Sequence, residues 1–121
     1  MNSRILSLSV ACLLLSAWFF AQTAGHGQTA PRRIEVHAKR FGFQPNEITV
    51  KKGEPVVLVL TAEDVSHGLR FRQFNVDLKA QKGQPAQTTF TPEMTGDFIG
   101  HCSTFCGSGH GSMTLTLHVV E

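Results

Sequence analysis

Tyrosine is missing from this chain, and its one tryptophan, Trp18, sits in an N-terminal apolar run. Acidic residues are missing before Glu35. Apart from Arg4, the basic residues all lie from Arg32 onward, where they nearly balance the acidic ones and form no long run. That balance argues against a nucleic-acid partner. Beyond Arg32 no segment keeps a sustained helical period, which argues against a helical domain. No Ser-His-Asp order and no paired carboxylates stand out, so nothing supports a hydrolase. Internal repeats and low-complexity tracts are also absent.

What is present begins with 121 residues, enough for one domain. Residues 1–24 carry a basic start, an apolar run from Ile5 to Ala21 and then small residues. That is the pattern of an export signal, with Thr23 and Gly25 suited to a cleavage site. The run is also close to the shortest membrane span, about 17 residues, so a retained anchor stays open. Either way Arg4 places the rest of the chain away from the cytoplasm, periplasmic or on the outer face of the membrane. Cys12 reads as a small hydrophobe of that run. Residues 25–32, polar and with His26 among them, read as a flexible linker.

Residues 33–121 read as an all-β domain. Ile34–Ala38 and Glu47–Val50 alternate apolar and polar residues, and Lys51–Glu54 turns the chain. Pro55–Leu60 is a continuous β-branched run, as in a strand buried on both faces. Gly68–Phe71, Gln87–Phe90 and Asp97–Gly100 are shorter candidates, and Met113–Val119 alternates cleanly. Short strands with Gly and Pro punctuation predict a sandwich or barrel.

Between the last two strands lies Cys102-Ser103-Thr104-Phe105-Cys106-Gly107-Ser108-Gly109-His110-Gly111-Ser112-Met113. Two thiols, an imidazole and a thioether in one loop form a soft, nitrogen-containing donor set that suits copper. Another ligand must come from a distant strand, and His67, directly after the buried run, is the candidate. Cys106, His110, Met113 and His67 alone would make a one-copper site. Cys102 adds a second thiolate, so the two sulfurs can bridge two copper ions, each keeping one imidazole. Met113 serves one copper weakly, and a main-chain carbonyl between the cysteines, at Thr104, serves the other. Met113 also suits the core of the last strand, and an exported pair of cysteines also suits a disulfide. His101 should point away from the site, because adjacent strand residues face opposite ways. His37 and His118 read as solvent-facing, and Met94 as packing. Glu63 and Asp64 could orient His67, although an ordinary solvated turn is the simpler reading. Gly107–Gly111 lacks the Lys and helix of a phosphate loop, and its small residues instead let the backbone coil tightly.

These residues resemble the dinuclear copper (CuA) signature of cytochrome c oxidase subunit II, also seen in nitrous oxide reductase. Asp64-Val65-Ser66-His67 resembles the segment that carries the family's first histidine. Phe41–Asn46, Ile48–Val50 and Gly53-Glu54 resemble the start of its cupredoxin domain. His67-Gly68-Leu69 and Gly96-Asp97-Phe98 are most similar to the one-anchor form of B-type haem–copper oxidases. The resemblance implies a cupredoxin-like Greek-key β-sandwich that holds two copper ions. It carries over His67, Cys102, the Thr104 carbonyl, Cys106, His110 and Met113 as ligands. It implies electron transfer from a cytochrome c-like donor to a haem–copper oxidase subunit I, not catalysis by this chain alone. Thr104 stands where many relatives have a glutamate that helps bind magnesium, and threonine has no such carboxylate. Without Trp or Tyr in the domain, Phe105, Phe71 or Phe74 would have to supply the apolar surface where electrons arrive. A periplasmic copper chaperone or store is the alternative function, and a disulfide-linked structural domain a third.

Overall fold

The computed structural model describes residues 30–121. The signal or anchor expected at 1–24, Cys12 and His26 lie outside the described residues. The strands are β1 (Arg32–Lys39), β2 (Gly42–Gln44), β3 (Glu47–Lys51), β4 (Val56–Ala62), β5 (His67–Phe71), β6 (Val76–Ala80), β7 (Ala86–Phe90), β8 (Gly96–His101) and β9 (Thr114–Val120). They form a four-stranded sheet in the order β2-β1-β4-β7 and a five-stranded sheet in the order β3-β9-β8-β5-β6. Parallel pairing of β1 with β4 and of β3 with β9 joins strands distant in the chain, as a cupredoxin-like sandwich requires.

Period-two patterning drives this arrangement. Val36 and Ala38 of β1, Ile48 and Val50 of β3, and Leu115, Leu117 and Val119 of β9 all point inward and are buried. Leu60, Leu69 and Phe71 complete the centre of the core at 0–1% exposure. Fully burying each such side chain stabilises the fold by about 1.5–3 kcal/mol. In β4 the expected two-sided burial holds at Val59, whereas Val57 is only half-buried. Strand β6 was not among the expected strands, although Val76, Leu78 and Ala80 alternate with exposed Asp77 and Lys79. Strand β2 has three residues, too few for periodicity to register.

Several expectations need correction. Met94 is 49% exposed and does not pack inward. Phe71 is buried in the core, and Phe74 packs edge-on against Phe98 and beside Phe90. Neither can serve as an exposed apolar surface. Phe105 can, at 77% exposure.

His118 faces outward on β9, between inward-pointing Leu117 and Val119, as expected, and stands directly across from Asp97 on β8. Its Nδ1 lies 2.6 Å from the Asp97 carboxylate. That hydrogen bond raises the histidine's pKa above its ordinary value, with help from the charges of Asp97 and Glu47. A group whose folded pKa is raised stabilises the fold fully below its unfolded pKa of about 6.5. The contribution is lost as pH rises through the folded value. Denaturant melts of the His118→Gln variant should therefore fall below wild type in mild acid and converge on it in alkali.

Candidate metal centre

The site is built by two chain segments at one end of the sandwich. Strand β4 ends at Ala62, the chain turns through 63–66, and β5 begins with His67. His67 is therefore the first strand residue, and it is 0% exposed. The second segment is the loop from Cys102 to Met113, held between paired strands β8 and β9. At its base the Cys102 N–H donates to the Met113 carbonyl at 3.1 Å. Within it, the N–H groups of His110, Ser112 and Met113 donate to the carbonyls of Gly107, Gly109 and His110. These tight turns fold the loop back on itself, so donors separated in sequence converge.

The convergence is close. The two cysteine sulfurs are 3.8 Å apart, well beyond the 2.05 Å of a disulfide, and both are free and buried. Cys106 Sγ lies 3.4 Å from Met113 Sδ and 3.8 Å from His110 Nδ1. Cys102 Sγ lies 3.1 Å from the Thr104 carbonyl oxygen. A ring nitrogen of His67 and both sulfurs lie within 4.8 Å of one another. The structure thus brings His67 to both sulfurs, His110 and Met113 to the Cys106 sulfur, and the Thr104 carbonyl to the Cys102 sulfur. Met113 is fully buried, so its roles in core and site coexist.

Asp64 orients the distant histidine. Its Oδ1 lies 2.7 Å from His67 Nε2, and Oδ2 accepts the Arg40 N–H at 2.8 Å. Burial pushes the Asp64 pKa up, but hydrogen bonds from Arg40, His67 and Val65 outweigh it and hold the carboxyl well below the usual carboxylate range. The solvated-turn reading of Asp64 is therefore corrected. Glu63 does not contact His67; it pairs with His37 at 3.1 Å. With Nε2 engaged, His67 Nδ1 is buried and has no hydrogen-bond partner among the described residues. A buried polar atom left unpaired is costly and needs a physical reason. A metal ion supplies one, and the surrounding sulfurs select a soft, copper-like ion. The residues present therefore fit a copper centre.

Burial pushes the Cys106 thiol up to about 11, reinforced by the hydrogen bond and charge of Cys102, so the thiol is protonated at neutral pH. Metal binding must displace that proton. The apparent copper affinity should accordingly rise with pH through the neutral range, about tenfold per unit for each proton displaced. Competition with a chelator whose own pH dependence is known measures this directly.

Three features of the site had no signal in the sequence. Arg40 Nε donates to the Cys106 carbonyl at 2.7 Å, across 66 positions of sequence. The Phe41 ring lies so close to Gly109 that a Cβ there would stand 2.5 Å from it, and only glycine fits. On the other flank, Asp77 accepts from Ser103 Oγ at 2.9 Å and from Arg70 at 2.7 Å, fastening the residue that follows Cys102. His101 is exposed, outside the donor cluster, as alternation predicts.

Comparison with known proteins gives a consistent picture. The family model described as "Cytochrome C oxidase subunit II, periplasmic domain" matches residues 30–120. Cytochrome c oxidase subunit 2 of Thermus thermophilus is 33% identical over 96 residues, covering 78% of this chain and 71% of that protein. The subunit 2 of Cereibacter sphaeroides is 37% identical over 107 residues, covering 82% of this chain and 35% of the relative. The chain thus spans from about a third to about seven-tenths of these relatives' length. Among solved structures, the periplasmic domain of cytochrome oxidase subunit II (CoxB) of Bradyrhizobium japonicum superposes with a TM-score of 0.70 at 26% identity, covering 76% of this chain and 86% of that one. A chain of a heme-copper terminal oxidase dimer gives a TM-score of 0.67 at 27% identity, covering 80% of this chain and 68% of that one.

Proposed function

Because this chain belongs to the cytochrome c oxidase subunit II family, with its periplasmic cupredoxin-like domain, we propose that it is an electron carrier whose ligands are His67, Cys102, the Thr104 carbonyl, Cys106, His110 and Met113. The observation that carries this reading is the buried, unpaired His67 Nδ1 in a cluster with two free thiols. Cys102 and Cys106, with the other four donors, would hold a pair of copper ions, which would supply one-electron redox chemistry.

The protein's part is to hold the donors still and dry. Strands β4 and β5 fix His67, and Asp64 sets which ring nitrogen faces the site. Strands β8 and β9 fix both ends of the cysteine loop. Burial of Cys102, Cys106 and Met113 at 0–5% exposure excludes water from the sulfurs. Donors that hardly move between oxidation states keep the reorganisation cost of electron transfer low.

The donor in this proposal is a cytochrome c-like protein, and the acceptor is the haem of a haem–copper oxidase subunit I. Residues 1–24 export the chain or anchor it to the outer face of the membrane, residues 25–32 tether it, and residues 33–121 form the copper domain. Phe105, 77% exposed with its ring centroid 5.7 Å from that of His110, offers a short apolar approach to the site. A copper chaperone would need ligands that open to a receiving protein, and the buried, strand-anchored donors here favour the carrier.

Stopped-flow mixing with reduced cytochrome c tests the reading. The oxidised, copper-loaded chain should take up electrons rapidly. Phe105→Ser should slow uptake about tenfold or more with copper content unchanged, as expected for loss of an exposed aromatic anchor. A loaded chain that exchanges no electrons but surrenders its copper to an acceptor protein would support the chaperone instead.

A further inference from the structure

One residue links the two halves of the site, and nothing in the ligand set calls for it. Arg40 follows β1 at the β1–β2 turn. Its main-chain N–H donates to Asp64 Oδ2 at 2.8 Å, and Asp64 Oδ1 holds His67 Nε2 at 2.7 Å. Its side-chain Nε donates to the Cys106 carbonyl at 2.7 Å. Arg40 therefore fastens the histidine segment through its backbone and the cysteine loop through its side chain. Its neighbour Phe41 seats its ring against Gly107 and Gly109, so the turn as a whole caps the second half of the loop.

A neutral donor would satisfy the Cys106 carbonyl. Arginine also brings a permanent positive charge, because its guanidinium does not deprotonate in proteins. Asp64 brings a negative charge on the histidine side. An electron added to the site is attracted by the first and repelled by the second.

We propose that Arg40 is a positioning residue that fixes Cys106 relative to His67 and, through its guanidinium charge, raises the reduction potential of the centre. This rests on the electron-carrier reading above. The reaction is a one-electron reduction of the oxidised centre coupled to the one-electron oxidation of a soluble mediator such as a reduced ruthenium ammine, with no bond made or broken.

The test uses the full chain, copper-loaded, as wild type, Arg40→Gln and Arg40→Lys. Glutamine can still donate to the carbonyl but carries no charge; lysine keeps both. The main-chain bond to Asp64 is available in all three. Equilibration with the mediator should show Arg40→Gln easier to oxidise by about tenfold in the equilibrium constant, which is about 59 mV for one electron. Arg40→Lys should stay near wild type. In the metal-free proteins, hydrogen exchange at the amides of residues 106–109 should quicken in Arg40→Gln beyond Arg40→Lys, which reads the positioning role without copper.

An Arg40→Gln potential equal to wild type overturns the proposal, and so does an Arg40→Lys potential displaced as far as that of Arg40→Gln. If Arg40→Gln does not fold, Arg40→Met, which keeps the aliphatic stem and loses the charge, takes its place, with the same fall in potential expected and an unchanged potential overturning the proposal. A wild-type chain lacking the signature of a shared copper pair would instead sink the carrier reading itself, so the two failures are distinguishable.

Discussion

Replacing Cys102 with serine should convert a two-copper site into one that holds at most a single copper. Cys102 Sγ lies 3.8 Å from Cys106 Sγ and 3.1 Å from the Thr104 carbonyl, so it stands between the second thiol and the weak oxygen donor. A hydroxyl in that place is harder than a thiolate and stays protonated at working pH. Thiolate-rich structural sites gather about 10–16 kcal/mol from four ligands, so losing one thiolate costs about 3 kcal/mol, or about 100-fold in affinity. The sandwich itself should survive, because serine has nearly the same shape and the surrounding core of Leu69, Leu115 and Phe71 is untouched. Copper content by atomic absorption and a thermal melt of the metal-free protein, run together, separate loss of the site from loss of the fold.

Asp64→Ala should produce the second large effect, a 10–100-fold loss of copper affinity with every donor still present. The carboxylate bonds His67 Nε2 and accepts the main-chain N–H groups of Arg40 and Val65. Its removal frees the imidazole to rotate and to expose either nitrogen. It also leaves the Arg40 amide, at the start of the β1–β2 turn, without its acceptor, so the turn that caps the cysteine loop loosens. Asp64→Asn keeps an acceptor of the same shape and should recover most of the affinity. Competitive copper titrations of the two variants measure the difference, and equal losses in both would show that charge rather than orientation is responsible.

The donors were legible because they are local. Five of the six sit within twelve residues of a loop between adjacent strands, and His67 comes one short turn after the apolar run of β4. A short loop with fixed ends leaves few places for its side chains to go. What held the donors was much less legible. Asp64 lies three residues before His67, a spacing that allows contact, but an exposed Asp in a turn usually faces water. Arg40 and Cys106 are 66 positions apart, and Ser103 and Asp77 are 26 apart, so their contacts follow from sheet order and not from any local pattern. Met94 and Phe71 show the same limit from the other side. Hydrophobic character does not say whether a loop methionine finds the core, nor whether a phenylalanine at a strand end faces into it. The alternation of Val76, Leu78 and Ala80 was visible in principle, but charged Asp77 and Lys79 between them masked a strand only five residues long.

Electron spin resonance of the oxidised, copper-loaded chain tests the central claim most directly. One unpaired electron spread over two equivalent copper nuclei gives a hyperfine pattern that a single nucleus cannot produce. The account predicts that pattern in wild type and its disappearance in Cys102→Ser. A single-copper pattern in the wild-type protein, with one copper per chain, would contradict it.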